Sequence, residues 1–178
     1  MGQHPRRLGC QRRAGAVCFD RLHLREGAPL GPRRQRGAKA QGIGPSRGGQ
    51  TTKIHAVTDL LGRPAVLRLT PGNVADVSVA GELLDEAGPI RCLTADKGYD
   101  ANSLRKRLKQ ARAKAVIPGR SNRKKPIRFD QTRYRGRWRI EAAFCRLKDF
   151  RRIATRYDKL ARNFLSAVIL ATLVAFWV

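Results

Sequence analysis

Residues 90–100, IRCLTADKGYD, are the part of the sequence that is most informative about the fold. Its first six residues, 90–95, are mostly apolar and predict a buried strand. Asp96 follows the strand at once, and Gly98 lets the backbone approach a neighbouring group closely. Because open α/β sheets place their ligands at the carboxyl ends of strands, Asp96 is a candidate site residue. An ordinary turn between strand and helix explains it equally well, and for Asp100 we favour the N-cap of the next helix.

The segments around this stretch alternate between strand and helix patterns. Four strands are predicted, at residues 52–58, 65–69, 90–95 and 114–118. Three helices are predicted, at residues 77–87, 101–113 and 131–152. The order β-β-α-β-α-β-α predicts a mixed α/β sheet with helices packed on it.

The beginning of the chain has a different character. Residues 1–50 hold 10 of the 17 glycines and only two acids, Asp20 and Glu26. Apart from the short run Ala14 to Phe19, no strand or helix period is sustained there. We therefore expect residues 1–37 to be irregular and residues 38–178 to form the folded domain.

Charge narrows the classes of function. The 178 residues include 38 Lys and Arg against 13 Asp and Glu, a formal net charge of +25. Such a chain repels itself unless a polyanion is nearby, so nucleic acid is the first partner to consider and an acidic membrane surface the second. A hydrophobic content of 42% argues against a simple disordered basic tail.

Two further classes of function are disfavoured by pattern. None of the four cysteines lies in a C-x-x-C pair, which argues against a zinc site or a disulfide framework. The apolar tail, residues 164–178, is shorter than the ~20 residues that a membrane helix needs. We interpret it as a buried helix or as a surface that another segment covers.

Four polar residues recur along the last predicted helix. At about 100° per residue, Tyr134, Arg137, Glu141 and Lys148 fall within a stripe roughly 60° wide. The plain interpretation is a solvated face in which Arg137 and Glu141 form an i, i+4 pair. The stripe is nevertheless flanked by the apolar residues Ile140, Phe144 and Leu147. Glu141 should therefore point towards the sheet.

A basic segment connects Asp96 to this helix. Residues 101–129 contain 11 Lys and Arg and no acid. Because the run lies between structured segments, we interpret it as a phosphate-binding surface, with Arg120, Arg123 and Lys124 in its loop. Asp96 and Glu141 together suggest metal-assisted phosphoryl transfer, because paired carboxylates hold two Mg²⁺ or Mn²⁺ ions at such sites.

The spacing Y-x2-R-x3-E-x6-K, matched by Tyr134, Arg137, Glu141 and Lys148, resembles the catalytic domain of DDE-type bacterial insertion-sequence transposases. Similar stretches are found at residues 46–56, 69–73, 95–100 and 150–159, so that the likeness covers residues 38–178. The resemblance implies an RNase H-like fold and a metal-binding triad of Asp, Asp and Glu. It makes Asp96 the second acid and Glu141 the third, both catalytic and metal-binding. It gives Tyr134, Arg137 and Lys148 the role of handling the DNA.

The first acid departs from the family pattern. The family's Asp-Ser-Thr tripeptide at the end of the first strand is absent, and Asp20 is the acid that ends an apolar run in that region. Reading codons for residues 20–37 one base later can yield Asp-Ser-Thr. This suggests a frameshift that leaves residues 1–37 out of frame and an RNase H-like sheet incomplete at its N-terminus. Codons that cannot give this tripeptide would contradict the hypothesis.

The leading functional hypothesis is a transposase with metal-dependent strand cleavage and transfer at insertion-sequence ends, inactive in this truncated form. The resemblance implies terminal inverted repeats and target DNA as partners, a homo-oligomer when active, no membrane, and a nucleoid-associated location in the bacterial cytoplasm. The alternative is a non-catalytic basic nucleic-acid-binding protein, which explains the charge but neither Asp96 nor the helix stripe. A membrane-surface protein is a third alternative, supported by charge and the apolar tail.

Overall fold

The computed structural model describes residues 14–25 and 41–178, so residues 1–13 and 26–40 lie outside the description that follows. The strands of the described part are β1 (Ala14–Arg25), β2 (Gly44–Ser46), β3 (Gly49–Thr58), β4 (Pro64–Pro71), β5 (Ile90–Ala95) and β6 (Lys114–Val116). The helices are α1 (Ala80–Ala87), α2 (Asn102–Gln110), α3 (Gln131–Arg135), α4 (Trp138–Lys148), α5 (Arg151–Ala154) and α6 (Ala161–Phe176). Short 3₁₀ turns form at Asp76–Val79 and Lys97–Tyr99.

All six strands belong to one mixed sheet. The neighbours run in the order β2-β3-β1-β5-β6, and β4 pairs with β3. β3 is antiparallel to β1 and β4, whereas β1, β5 and β6 are parallel to one another. With helices packed on this sheet, the predicted mixed α/β class is confirmed.

The β3–β4 hairpin closes through a turn that its own side chains stabilise. The Asp59 carboxylate accepts hydrogen bonds from the backbone N–H groups of Leu61 (2.9 Å) and Arg63 (3.0 Å). Gly62 has φ 82°, in the left-handed region that favours glycine. The predicted hairpin is therefore present, with strands slightly longer than the pattern indicated.

Two hydrophobic cores cover the faces of the sheet. One lies against α1 and α2 and includes Phe19, Leu83, Leu93, Leu104, Leu108 and Ile117. The other lies against α4 and α6 and includes Leu24, Ile54, Phe144, Leu147, Phe164 and Val168. Since neighbouring residues of a strand face opposite sides, Phe19 and Leu24 reach different cores from the same strand. The central strands are thereby buried on both faces.

The helix predicted over residues 131–152 is interrupted. The N–H of Gly136 donates to the carbonyl of Arg133 (3.1 Å), and that of Arg137 donates to the carbonyl of Tyr134 (2.9 Å). These i to i−3 bonds tighten the chain between α3 and α4, as short 3₁₀ segments do. The prediction of one continuous helix is therefore wrong, although Arg137 keeps helical backbone angles (φ −63°, ψ −25°).

The expectation of an irregular segment at residues 1–37 is wrong for residues 14–25, which form β1 at the centre of the sheet. β1 pairs with β3 from Cys18 to Arg25 and with β5 from Ala14 to Phe19. Val17, Phe19 and Leu24 are buried. A packed central strand counts against an out-of-frame origin of this part and makes Asp20 a candidate for the first acid. The rest of the 1–37 segment lies outside the described residues.

The apolar tail forms α6, whose buried side contacts the second core. Its other side exposes Ile169, Leu170, Leu173 and Val174. Within residues 14–25 and 41–178, no helix combines the length and apolar character needed to cross a membrane.

Candidate active site

Asp96 lies where β5 ends and the first 3₁₀ residue begins. Its carboxylate accepts a hydrogen bond from the N–H of Lys97 (2.7 Å), and its carbonyl accepts one from the N–H of Tyr99 (3.0 Å). Asp96 thus caps the turn while its side chain stays half-buried at the carboxyl edge of the sheet. The two interpretations of this residue, turn former and ligand at a strand end, are compatible in one geometry.

The turn after Asp96 is anchored to the sheet through Tyr99. This side chain is fully buried, and its hydroxyl lies 2.9 Å from Nδ1 of His55 in β3. Nε2 of His55 lies 2.8 Å from the hydroxyl of Thr70 in β4. The Tyr99 ring also packs edge-on against Phe19 of β1, with centroids 5.8 Å apart. Three strands therefore hold the backbone that carries Asp96.

Asp100 does not cap the next helix, so that prediction is wrong: the N-cap of α2 is Ala101, which makes no side-chain cap. The Asp100 side chain is instead fully buried and accepts hydrogen bonds from Nε of Arg105 (2.8 Å), Nε of Arg123 (2.5 Å) and the N–H of Arg120 (2.9 Å). Burial acts to raise the pKa of this carboxyl group. The hydrogen bonds from Arg123, Arg120 and Arg105 outweigh burial and hold the pKa well below its usual range.

The basic loop of residues 119–125 lies beside the Asp96 turn. Arg120 donates from its guanidinium to the carbonyls of Gly98 (2.8 Å) and Lys97 (3.3 Å). Arg123 is committed to Asp100, whereas Lys124 is exposed. Of the three residues of this loop that are expected to bind DNA, Arg120 and Arg123 thus make contacts within the protein.

Three of the four residues of the helix stripe contact one another. The guanidinium of Arg137 pairs with the carboxylate of Glu141 and lies 5.7 Å from the centre of the Tyr134 ring. The Arg137 side chain is 19% exposed and that of Glu141 is 53% exposed. Lys148 is exposed at the last residue of α4. The i, i+4 pair is therefore present, and Glu141 lies on a helix that packs against β1.

A groove lies between the sheet and the segment that joins α3 to α4. Its volume is about 380 Å³, and it is lined by Thr58, Thr94, Arg133, Arg135, Trp138 and Arg139, among others. Trp138 is 59% exposed, and the guanidinium of Arg139 lies 5.7 Å from its ring. Basic side chains beside an exposed aromatic ring are typical of surfaces that contact nucleic acid.

The predicted donor set for a metal site is Asp96 and Glu141, with a third candidate position in β1. Carboxylate oxygens of this kind suit Mg²⁺ or Mn²⁺. Side chains of His, Cys, Asp and Glu form no group of three or more among the described residues. The pairing of Phe19 with Ala95 places position 20 next to Asp96 in the neighbouring parallel strand. The approach of Glu141 to Asp96 remains a prediction.

Two polar residues inside the sheet had not been predicted as part of the site or its support. His55 and Lys53 are buried polar residues of β3, and Lys53 forms an ion pair with the buried Asp76 (3.1 Å). Polar residues inside the predicted strand at 52–58 were a usable signal, because buried polar groups need partners.

The sequence matches the family model described as "Transposase DDE domain" over residues 27–176. A Brucella ovis protein named as a transposase for insertion sequence element IS6501 is 37% identical over 122 residues, which are 68% of this chain and 94% of that protein. A Burkholderia cepacia protein named for insertion sequence element IS402 is 31% identical over 121 residues, 62% of this chain and 55% of its own length. This chain therefore spans about half of the second relative. A solved Mos1 transposase paired-end complex with left transposon end is similar at 13% identity and a TM-score of 0.36, over 74% of this chain and 53% of that one.

Proposed function

Because the chain belongs to the transposase DDE domain family, we propose that it contributes the catalytic domain for metal-dependent DNA cleavage and strand transfer at insertion-sequence ends. The observation that carries the proposal is the position of Asp96 at the carboxyl end of β5, beside position 20 of the adjacent parallel strand. The strand order is β4-β3-β1-β5-β6, in which β3 is antiparallel to both of its neighbours and β1, β5 and β6 are parallel to one another. This order supports the RNase H-like assignment.

Asp96 and Glu141 are the proposed catalytic acids and metal ligands. Bound divalent ions would activate the attacking oxygen and stabilise the leaving oxygen. Arg137 holds the Glu141 carboxylate and, with Tyr134 and Lys148, forms the proposed surface for the DNA end. Arg120, Arg123 and Lys124 belong to a second proposed DNA surface, beside the turn that follows Asp96. Trp138, exposed in the basic groove, could stack on a base of a distorted strand.

Asp20 is the proposed first acid of this chain, since its backbone pairs with Ala56 and lies one residue past the Phe19–Ala95 pair. The chain lacks the Asp-Ser-Thr segment, so we expect DNA binding with weak or no cleavage. A misplacement of about 1 Å at an active site can cost ~10²-fold in rate, and an altered ligand segment should cost at least as much.

The test is cleavage of end-containing DNA with Mg²⁺ or Mn²⁺, comparing the 178-residue chain with a chain that carries Asp-Ser-Thr in place of residues 20–22 of β1. Asp96→Ala and Glu141→Ala, each made in the chain that carries Asp-Ser-Thr, remove one proposed acid at a time. We expect cleavage by the restored chain, and its loss in both variants. Strong cleavage by the given chain that survives Asp96→Ala would place the active site elsewhere.

The second candidate function is non-catalytic binding of nucleic acid, which the net charge of +25 favours. Under that alternative the restored chain binds DNA but never cuts it, and terminal inverted repeats bind no better than other DNA. Under the transposase proposal the partners are inverted repeats and target DNA, the active form is a homo-oligomer, and the location is the bacterial cytoplasm at the nucleoid.

A further inference from the structure

Three arginines from two segments of the chain donate hydrogen bonds to the buried carboxylate of Asp100. Arg105 comes from α2, whereas Arg120 and Arg123 come from the loop that follows β6. Arg123 also donates to the side-chain oxygen of Asn102 (2.9 Å). A carboxylate that lies 20 and 23 positions before its loop partners fastens that loop to the start of α2.

The loop is fastened a second time, to the Asp96 turn itself. Arg120 reaches the carbonyls of Lys97 and Gly98, which directly follow Asp96. The exposed cations Lys124 and Lys125 lie in the same loop, and Arg128 lies three residues beyond it. A loop of solvated charges needs no buried acid, so these contacts indicate that its conformation matters.

We propose that Asp100 is a positioning residue that fixes loop 119–125 as a preformed binding surface for DNA phosphates beside Asp96. That the ligand is DNA rests on the proposed function, whereas the attachment of the loop to Asp100 rests on the observed contacts alone. A loop that is already ordered loses less conformational freedom when it binds than a mobile one. The cations of the loop therefore contact successive phosphates at a fixed distance from Asp96.

Release of the loop and the added positive charge of Asp100→Asn should change DNA affinity in opposite directions. Asp100→Asn makes the protein more positive by one charge, which by itself strengthens DNA binding. Release of the loop should instead weaken binding of a 30-base-pair duplex, by roughly tenfold at physiological salt. Asp85→Asn is the matched control, because this exposed acid pairs with Arg107 on the outside of the molecule. We expect the control to bind as tightly as the unmodified chain, or more tightly.

A second pair of variants covers the case in which Asp100→Asn does not fold. Arg123→Gln breaks the fastening and Arg128→Gln removes an exposed cation, each with the loss of one charge. Each direct phosphate contact adds ~0.9 to the magnitude of the slope of log affinity against log salt, so Arg128→Gln should reduce that magnitude by at most ~0.9. Arg123→Gln should reduce it by ~2 or more, because the other loop cations lose their positions too.

Limited trypsin digestion reports on the loop without DNA. In the unmodified chain the fastened loop should resist cleavage after Arg123 and Lys124. Asp100→Asn should be cut at both sites, and Arg123→Gln at Lys124, at least ~10-fold faster. Equal digestion rates would overturn the fastening. Unchanged or tighter DNA binding by Asp100→Asn, or equal slopes for the two arginine variants, would overturn the positioning role. An unmodified chain that binds no DNA while its loop is protected would refute the proposed function and the DNA surface, but not the fastening.

Discussion

Glu141→Gln should separate metal binding from folding. The Glu141 carboxylate is 53% exposed and pairs with Arg137 one helical turn away. Exposed ion pairs of this kind contribute about 0.2–1 kcal/mol, and Gln retains the length and a hydrogen-bond acceptor. Since 1 kcal/mol corresponds to ~2–4 °C in Tm for a chain of this size, we expect the variant to melt within ~4 °C of the unmodified chain.

The metal contribution is measured as the Tm shift produced by added Mn²⁺. A ligand that binds the folded chain at ~100 times its Kd stabilises it by about 2.7 kcal/mol, or ~5–11 °C here. If Asp96 and Glu141 share the ions, Glu141→Gln and Asp96→Asn should each lose most of this shift. The assay needs no cleavage, so it applies to the chain as it stands.

Glu86→Gln is the matched control. Glu86 is exposed to a similar degree, at 42%, and is also paired with an arginine, Arg68. It lies in α1, on a helix that carries none of the proposed site residues. The control should keep the full Mn²⁺ shift. A Glu141→Gln variant that also keeps it, in a protein whose shift Asp96→Asn abolishes, would remove Glu141 from the metal site.

Three further predictions concern folding and charge. Asp100→Asn should lower the free energy of unfolding by ~3–5 kcal/mol at pH 7, because two arginines lose a buried partner. Since the pKa of Asp100 is lower in the folded chain than its unfolded value of ~3.9, this stabilisation is complete above that value and is lost as pH falls through the folded pKa. Urea unfolding of the unmodified chain and of Asp100→Asn should therefore give a smaller difference in free energy of unfolding below pH 4 than at pH 7. Arg156→Met should cost ~3–5 kcal/mol, because buried Arg156 donates to the carbonyls of Gln41, Asp158 and Lys159, whereas Arg151→Met on the surface should stay within ~0.5 kcal/mol in the same assay. Affinity for a DNA duplex should fall linearly in log–log form as salt rises from 50 to 200 mM, and a salt-independent affinity would contradict phosphate binding.

Alternation and turn chemistry were enough to predict four of the six strands of the described sheet. The strand at residues 90–95 has the bounds that the sequence indicated, and the β3–β4 hairpin differs only at its ends. These elements were predictable because their apolar residues and their turn residues lie next to each other in sequence. The break at Gly136 was not, because the apolar period continues through it and the i to i−3 bonds leave no mark on the pattern.

The role of Asp100 depends on contacts that sequence spacing does not reveal. An Asp one residue before a helix predicts an N-cap, since the cap needs partners only two or three residues away. Arg120 and Arg123 are brought to it by the path of β6 and the loop after it, over more than a dozen residues. The sequence therefore identified the basic loop but assigned its arginines to solvent and DNA.

β1 shows where composition misleads. Residues 14–25 lie in a segment whose glycines and arginines predict irregular chain, yet they pair with both β3 and β5. Two neighbouring strands that each offer a free edge can order a segment of weak intrinsic preference, because β propensity depends mainly on the surroundings. The same pairing fixes the backbone of position 20 next to Asp96, whatever side chain stands there. A carboxylate at this position is therefore the change to which metal binding should respond most directly, and Asp20→Asn should reduce the Mn²⁺ shift if the given chain uses Asp20 as its first acid.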